Sequence, residues 1–455
     1  MPQARPEICA AKEPLTTDEF ERALEQGLGR AILCLKKHDP TPYKEIILET
    51  CLKDTRYDAQ CEGSRVPYLM EAIDLCHHED FFRDAILERF PATPNTVLED
   101  KPNYHIEDQF TDFMLVFAKR GSLKARDLLY TSFTANAKLS EEFAFSRDNA
   151  IIELDGLVGL NFVLEHYGKI ASKNRKFRLD DWYLNSIYNQ FEKTIVQQHV
   201  KNLCAVNQDV QVLVKRSKFF TKKVDSTASR AKQKPTPPTY AEFQNMVWRR
   251  SSYRGGAGFW STRATKTQIN QAARDLIQET DPELIRGYLY AFYKRKFPLS
   301  IKHLLLLVRH EHPDVRLHSV TALQRFQDSR VRVLALELIS DPLLRAEAIG
   351  LFEQNYLLGD AKIIVQILEE VNDRNDIHSI GYSIRDVYEE NRVSEALKPL
   401  LLDYESNPCL LCRGYTLELL HDLEILPDWM LEEAQFDAYN HTRETVQAWL
   451  TPKTP

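Results

Sequence analysis

Between Lys215 and Lys266 the chain carries thirteen Lys and Arg residues against two carboxylates, Asp225 and Glu242, with eight aromatic residues between them. Cations at this density neutralise phosphates, and aromatic faces stack on unpaired bases. The chemistry within reach is the gripping of a nucleic acid or of an acidic protein surface. The residues that would do it are Lys215, Arg216, Lys222, Lys223, Trp248, Arg249, Arg250, Arg254, Trp260 and Arg263. The plainer reading is a solvated linker flanked by helices whose aromatics are core. The stretch is net +11, so in a chain of net −7 the remainder is −18. Residues 414–446 form the acidic pole, with eight carboxylates against Arg443. Such polarity bears on association with partners rather than on the fold.

Thiols and imidazoles offer a second kind of chemistry. Cys409-Leu410-Leu411-Cys412 has the spacing of half a zinc site or of a redox pair. No second pair follows it and no strand precedes it, and on a helix a spacing of three places both thiols on one packed face. The expectation is buried structural cysteine and no metal. His77-His78-Glu79-Asp80 is better explained as a helix start with acidic residues in its first turn. His303, His310, His312 and His318 lack a carboxylate at metal-motif spacing and are expected at the surface. Trp182 beside Asp180 and Asp181, or Trp248 beside Arg249 and Arg250, is expected to be core or edge tryptophan. Arg254-Gly255-Gly256-Ala257-Gly258 is not a phosphate loop, because no Lys-Ser/Thr follows, and is expected to be a hinge. No catalytic signature stands out, and no cofactor is expected.

The elements that would position these residues are helical. Four times in the second half a small polar residue or His precedes a proline: Asp281-Pro282, His312-Pro313, Asp341-Pro342 and Asn407-Pro408. The spacings are 31, 29 and 66, the last being two steps of 33. An Asp or Asn at the N-cap accepts from free backbone N–H groups, and Pro at the first helical position forfeits no hydrogen bond. A period of this length marks stacked helix pairs. In the clearest unit the first helix runs through Val315, Leu317, Val320, Leu323 and Phe326, and the second through Val331, Leu334, Leu336 and Leu338. The proline expected near Asn375 is missing. The N-terminal half is a run of helical patterns, opened by the capping box Thr16-x-x-Glu19 and including a helix-turn-helix over 107–136 broken at Gly121. Residues 221–239 contain one large aliphatic residue, Val224, and three prolines, too little apolar surface to offset ordering.

The run His312-Pro313-Asp314-Val315-Arg316-Leu317-His318-Ser319-Val320-Thr321-Ala322-Leu323 resembles the consensus of HEAT-like repeats, closest to the kind of about 30 residues found in the phycobilin-lyase class. The resemblance covers 281–425. It implies that Asp314 and Arg316 bridge neighbouring repeats and that Ala322 packs helix to helix. It says little about function, since such repeats serve scaffolds, lyases, regulators and some DNA glycosylases.

The expected fold is therefore all-α: an α-solenoid of HEAT-like helix pairs with a helical N-terminal half. The expected boundaries are 1–220, a basic Pro-containing linker over 221–240, and a repeat domain over 241–455. No run of 18 apolar residues suggests a membrane span, and Met1 to Leu15 lacks the apolar core of a signal peptide. The eight cysteines then fit reduced thiols of a cytoplasmic protein. The expected function is a non-enzymatic scaffold or regulator gripping a protein partner along the solenoid surface. The alternative is a nucleic-acid-binding protein using the 215–266 segment, with a DNA-repair-like or lyase enzyme third. Limited trypsin digestion is expected to cut first after Lys222, Lys223, Arg230, Lys232 or Lys234. First stable fragments ending within 300–400 would contradict that boundary.

Overall fold

The computed structural model of the protein describes residues 14–90, 104–136, 145–218, 239–249 and 254–451. Every regular element among them is a helix, and no helix among them is long and apolar enough to cross a membrane. The expected linker lies outside the described residues except for its last two, Thr239 and Tyr240. The described chain forms two compact units, one spanning 239–432 and the other combining the residues up to 218 with 433–451.

In the N-terminal unit the capping box at Thr16 forms. The Glu19 N–H donates to Thr16 Oγ1 at 3.3 Å and the Thr16 N–H donates to Glu19 Oε2 at 2.9 Å. Phe20, Ala23 and Leu24 of the Thr17–Gln26 helix are buried behind it. The 107–136 pattern resolves into helices Tyr104–Lys119 and Leu123–Asn136, with Gly121 left-handed at φ 98° between them. Gly there removes the Cβ penalty of that conformation. The segment from Glu433, assigned by sequence to the end of the repeat domain, packs on the first helices. Ala438 N–H donates to the Gly27 carbonyl at 2.9 Å, and Arg30 pairs with Glu433 at 2.9 Å. A Cβ on Gly29 would lie 1.9 Å from the Glu433 carbonyl oxygen, so this close approach requires glycine.

The other unit holds the helices that the sequence reading groups into pairs. Their first helices are Pro282–Leu289, Pro313–Leu323, Arg345–Gly350, Arg374–Glu390 and Leu410–Asp422. Each of these packs on the next one along the chain. Between them lie Lys302–Leu307, Ser329–Leu338, Ala361–Glu370 and Leu397–Ser406. Ion pairs tie one pair to the next. Arg286 reaches Asp314 at 2.9 Å, Arg309 reaches Glu337 at 3.0 Å, and Arg332 reaches Asp360 at 2.6 and 2.8 Å, each across 28 residues. Asp314 thus ties its own helix to Pro282–Leu289. Ala322 is fully buried, whereas Arg316 makes no bridge among the described contacts and its Nε has no hydrogen-bond partner.

The proline signals divide. Asp281 Oδ1 caps its helix by accepting from the Glu283 N–H at 2.9 Å, and Pro282 and Pro313 occupy first-turn positions. Asp341 and Asn407 instead cap short turns, accepting from the Leu343 and Cys409 N–H groups, and the helices begin only at Arg345 and Leu410. Where the proline is missing, Asp373 caps the Arg374–Glu390 helix through the Asn375 and Asp376 N–H groups. The expected hinge at Arg254–Gly258 is the start of a helix, Arg254–Arg263. Its anchor is Trp260, 1 % exposed and stacked on Phe243 at 4.1 Å, and such tertiary packing overrides the weak helix propensity of glycine. In the clearest unit Val315, Val320, Leu323, Val331 and Leu334 are buried, but Leu336 is 43 % exposed. Leu323→Ala is expected to cost about 2–5 kcal/mol in urea unfolding. A loss below about 0.5 kcal/mol, the range of surface substitutions, would show the register to be wrong.

Candidate functional site

The chemically distinctive cluster among the described residues joins two consecutive first helices. His378 lies on Arg374–Glu390, Cys409 is the N-cap of Leu410–Asp422, and Cys412 is in that helix's first turn. Their ligand-capable nitrogen and sulfur atoms all lie within 4.8 Å of one another. Both cysteines are buried, at 5 % and 1 % exposure, and the imidazole is half-buried. Tyr382, one turn after His378, sets its ring edge-on to the imidazole at 5.1 Å and is 51 % exposed.

A polar network below the cluster fixes this approach. Arg385, a further turn on, is buried and donates through Nη1 to Asp403 Oδ2 at 3.1 Å, to the Cys412 carbonyl at 3.4 Å and to Thr416 Oγ1 at 3.3 Å. The Thr416 hydroxyl donates to Asp403 Oδ2 at 2.5 Å, and Asn407 Nδ2 donates to Asp403 Oδ1 at 2.8 Å. Asn407 Oδ1 then accepts from the Cys409 N–H at 3.1 Å, which holds the backbone of the first thiol. Gly381 makes room for all of this. A Cβ there would stand 2.3 Å from Asp403 Oδ1 and 2.5 Å from Asn407 Nδ2.

The environment separates the two thiols. Cys409 is drawn below the ordinary thiol range, chiefly by hydrogen bonding from the Cys412 side chain, with His378 and the Cys412 and Leu411 N–H groups helping against burial. Cys412 is pushed up by the same contact with Cys409 and by burial. A thiol at a helix start, facing free backbone N–H groups, is where thiolate character is favoured. Two sulfurs and one imidazole can close on a soft divalent cation or, on oxidation, the sulfurs can close on each other. Burial of both cysteines agrees with the sequence reading. The convergence of His378 was not legible, because nothing in the local sequence marks it. One signal was present: His378 precedes Cys409 by 31 residues, close to one repeat period.

The described residues of the basic, aromatic stretch divide between the two units. Lys215 is exposed on Gln208–Arg216 in the N-terminal unit. Arg216 donates through Nη1 to the Ala171 and Asn174 carbonyls, capping the end of the Phe145–Lys173 helix. Lys222, Lys223 and Arg250 lie outside the described residues, and only the backbone of Arg254 is described. Trp248, 58 % exposed, and Arg249 are at the surface, as is Arg263, which lies over the exposed Phe259 ring at 3.9 Å. Trp260, expected to stack on a base, is instead buried against Phe243 with Nε1 donating to the Thr239 carbonyl at 3.2 Å. It has no free face.

Among the histidines, His303, His310 and His312 are half-exposed, but His318 is buried against Tyr290 and Tyr293, with Nδ1 bonded to the Tyr293 hydroxyl. Glu79 and Asp80 occupy the first turn of Glu79–Arg89, as the sequence suggests. The Trp182 side chain lies outside the described residues. No family model, curated protein or solved structure matches the chain.

Proposed function

We propose that the protein is a non-enzymatic binding scaffold, a HEAT-like stack of helix pairs that holds a protein partner against its exposed side chains. The observation that carries this reading is the set of large apolar residues left uncovered along successive pairs. Leu306 is 71 % exposed on Lys302–Leu307, and Val333 and Leu336 are 65 % and 43 % exposed on Ser329–Leu338. Leu357 and Leu358, at 57 % and 79 %, stand before Ala361–Glu370. Val333 and Leu336 are three apart and share a helix face. A stack in which each pair contacts its neighbours leaves a long surface for a partner, and exposed apolar groups repeated along it suit a protein with apolar side chains.

The nucleic-acid reading is weaker on these residues. Trp260 is core and Arg216 is bonded to carbonyls, which leaves Lys215, Trp248, Arg249 and Arg263 as the described surface groups among the expected residues. The test is the pair Val333→Glu and Leu336→Glu in one chain. Both sites are exposed, so helicity and melting temperature are expected to stay as in wild type. Proteins that co-purify with wild type from its native host are expected to fall by about 10-fold or more with the variant. An unchanged set would sink the reading. So would tight binding of single-stranded DNA or RNA by wild type, below about 1 μM at physiological salt, that is weakened by Arg249→Ala and Arg263→Ala.

A further inference from the structure

We propose that His378, Cys409 and Cys412 bind one Zn2+ ion that clasps two consecutive helix pairs. The three donor atoms come from two different helices and already lie within 4.8 Å of one another. In a tetrahedral site with Zn–S bonds of about 2.3 Å, neighbouring ligand atoms stand about 3.8 Å apart. The cluster is therefore at most about 1 Å wider than a closed site.

Charge supports the assignment. Two thiolates, a neutral imidazole and a dication sum to zero, and a neutral centre suits cysteines that are 5 % and 1 % exposed. The donor type selects the ion, since two sulfurs and one nitrogen favour zinc over magnesium or calcium, which take oxygen ligands. The neighbouring carboxylate, Asp403, belongs to the network below, held by Arg385, Thr416 and Asn407.

The surrounding donors point the same way. The Leu411 and Cys412 N–H groups face the Cys409 sulfur, and such N–H···S contacts support metal-bound thiolates. Arg385 lies against the Cys412 sulfur, yet its Nη2 has no hydrogen-bond partner. Three protein donors leave one of zinc's four positions unfilled, and the cluster borders solvent where His378 is half-buried and Tyr382, with its hydroxyl against the Cys412 sulfur, is 51 % exposed. Water fills a position of that kind in three-ligand zinc sites.

The experiment uses the full chain, purified with a non-thiol reductant, stripped with a chelator and titrated with ZnCl2 against a chromophoric zinc indicator. One tight equivalent is expected, with CoCl2 giving thiolate-to-cobalt charge-transfer absorption and tetrahedral visible bands. Cys409→Ser, Cys412→Ser and His378→Ala are each expected to weaken Zn2+ by about 100-fold or more. Ser is itself a good N-cap, so Cys409→Ser keeps the helix start and separates loss of the ligand from loss of the fold. Cys61→Ser, at an exposed cysteine elsewhere in the chain, is expected to bind as wild type. The proposal is overturned if reduced wild type takes up no zinc. It is equally overturned if Cys409→Ser, folded by circular dichroism, binds with wild-type affinity, or if Cys409 and Cys412 are recovered as a disulfide under these reducing conditions.

Discussion

A guanidinium and a carboxylate can share a helical core only if their remaining protons and lone pairs also find partners, since each charge pays a large desolvation penalty. Arg385 and Asp403 meet that condition through Thr416, Asn407 and the Cys412 carbonyl, at 4 % and 0 % exposure, with Arg385 Nη2 the one donor of the pair left without a hydrogen bond. The network spans three helices, Arg374–Glu390, Leu397–Ser406 and Leu410–Asp422. It sets the separation of the first and last, and Gly381 allows that separation to be short. The thiol–imidazole cluster lies one to two helical turns along the same face of Arg374–Glu390, so its geometry follows from the network beneath it.

Elsewhere in the unit the same task falls to weaker ties. Arg309–Glu337 is largely exposed, and Arg286–Asp314 and Arg332–Asp360 are partly so. Exposed pairs contribute little, so the earlier pairs depend on apolar packing through residues such as Val315, Leu323, Val331 and Ile349. The buried Arg385–Asp403 pair and the two buried thiols lie toward the end of the unit.

The all-helical fold was legible because its signals are local. Thr16, Asp281 and Asp373 cap the helices they precede, and Gly121 turns left-handed between two helices. Pro342 and Pro408 misplaced two helix starts because an Asx turn can use the same residue pair as an N-cap does. The Arg254–Arg263 helix was missed because a buried tryptophan, not propensity, decides it. His318 was placed at the surface for want of its partner Tyr293, 25 residues away. The candidate site was half legible. The two cysteines announce themselves by spacing, but His378, Arg385 and Asp403 acquire meaning only when consecutive helices are laid side by side, which a local pattern does not show.

The central claim, that the Arg385–Asp403 network joins the last helix pairs, is tested most directly by a double-mutant cycle in urea with Arg385→Met and Asp403→Leu. Each single change leaves a buried charge uncompensated and is expected to cost about 3–5 kcal/mol. The double variant is expected to lose at least about 2 kcal/mol less than the sum of the two singles, because it removes both charges together. Singles that add to within about 0.5 kcal/mol would contradict the account, since additivity of that quality belongs to residues that do not interact.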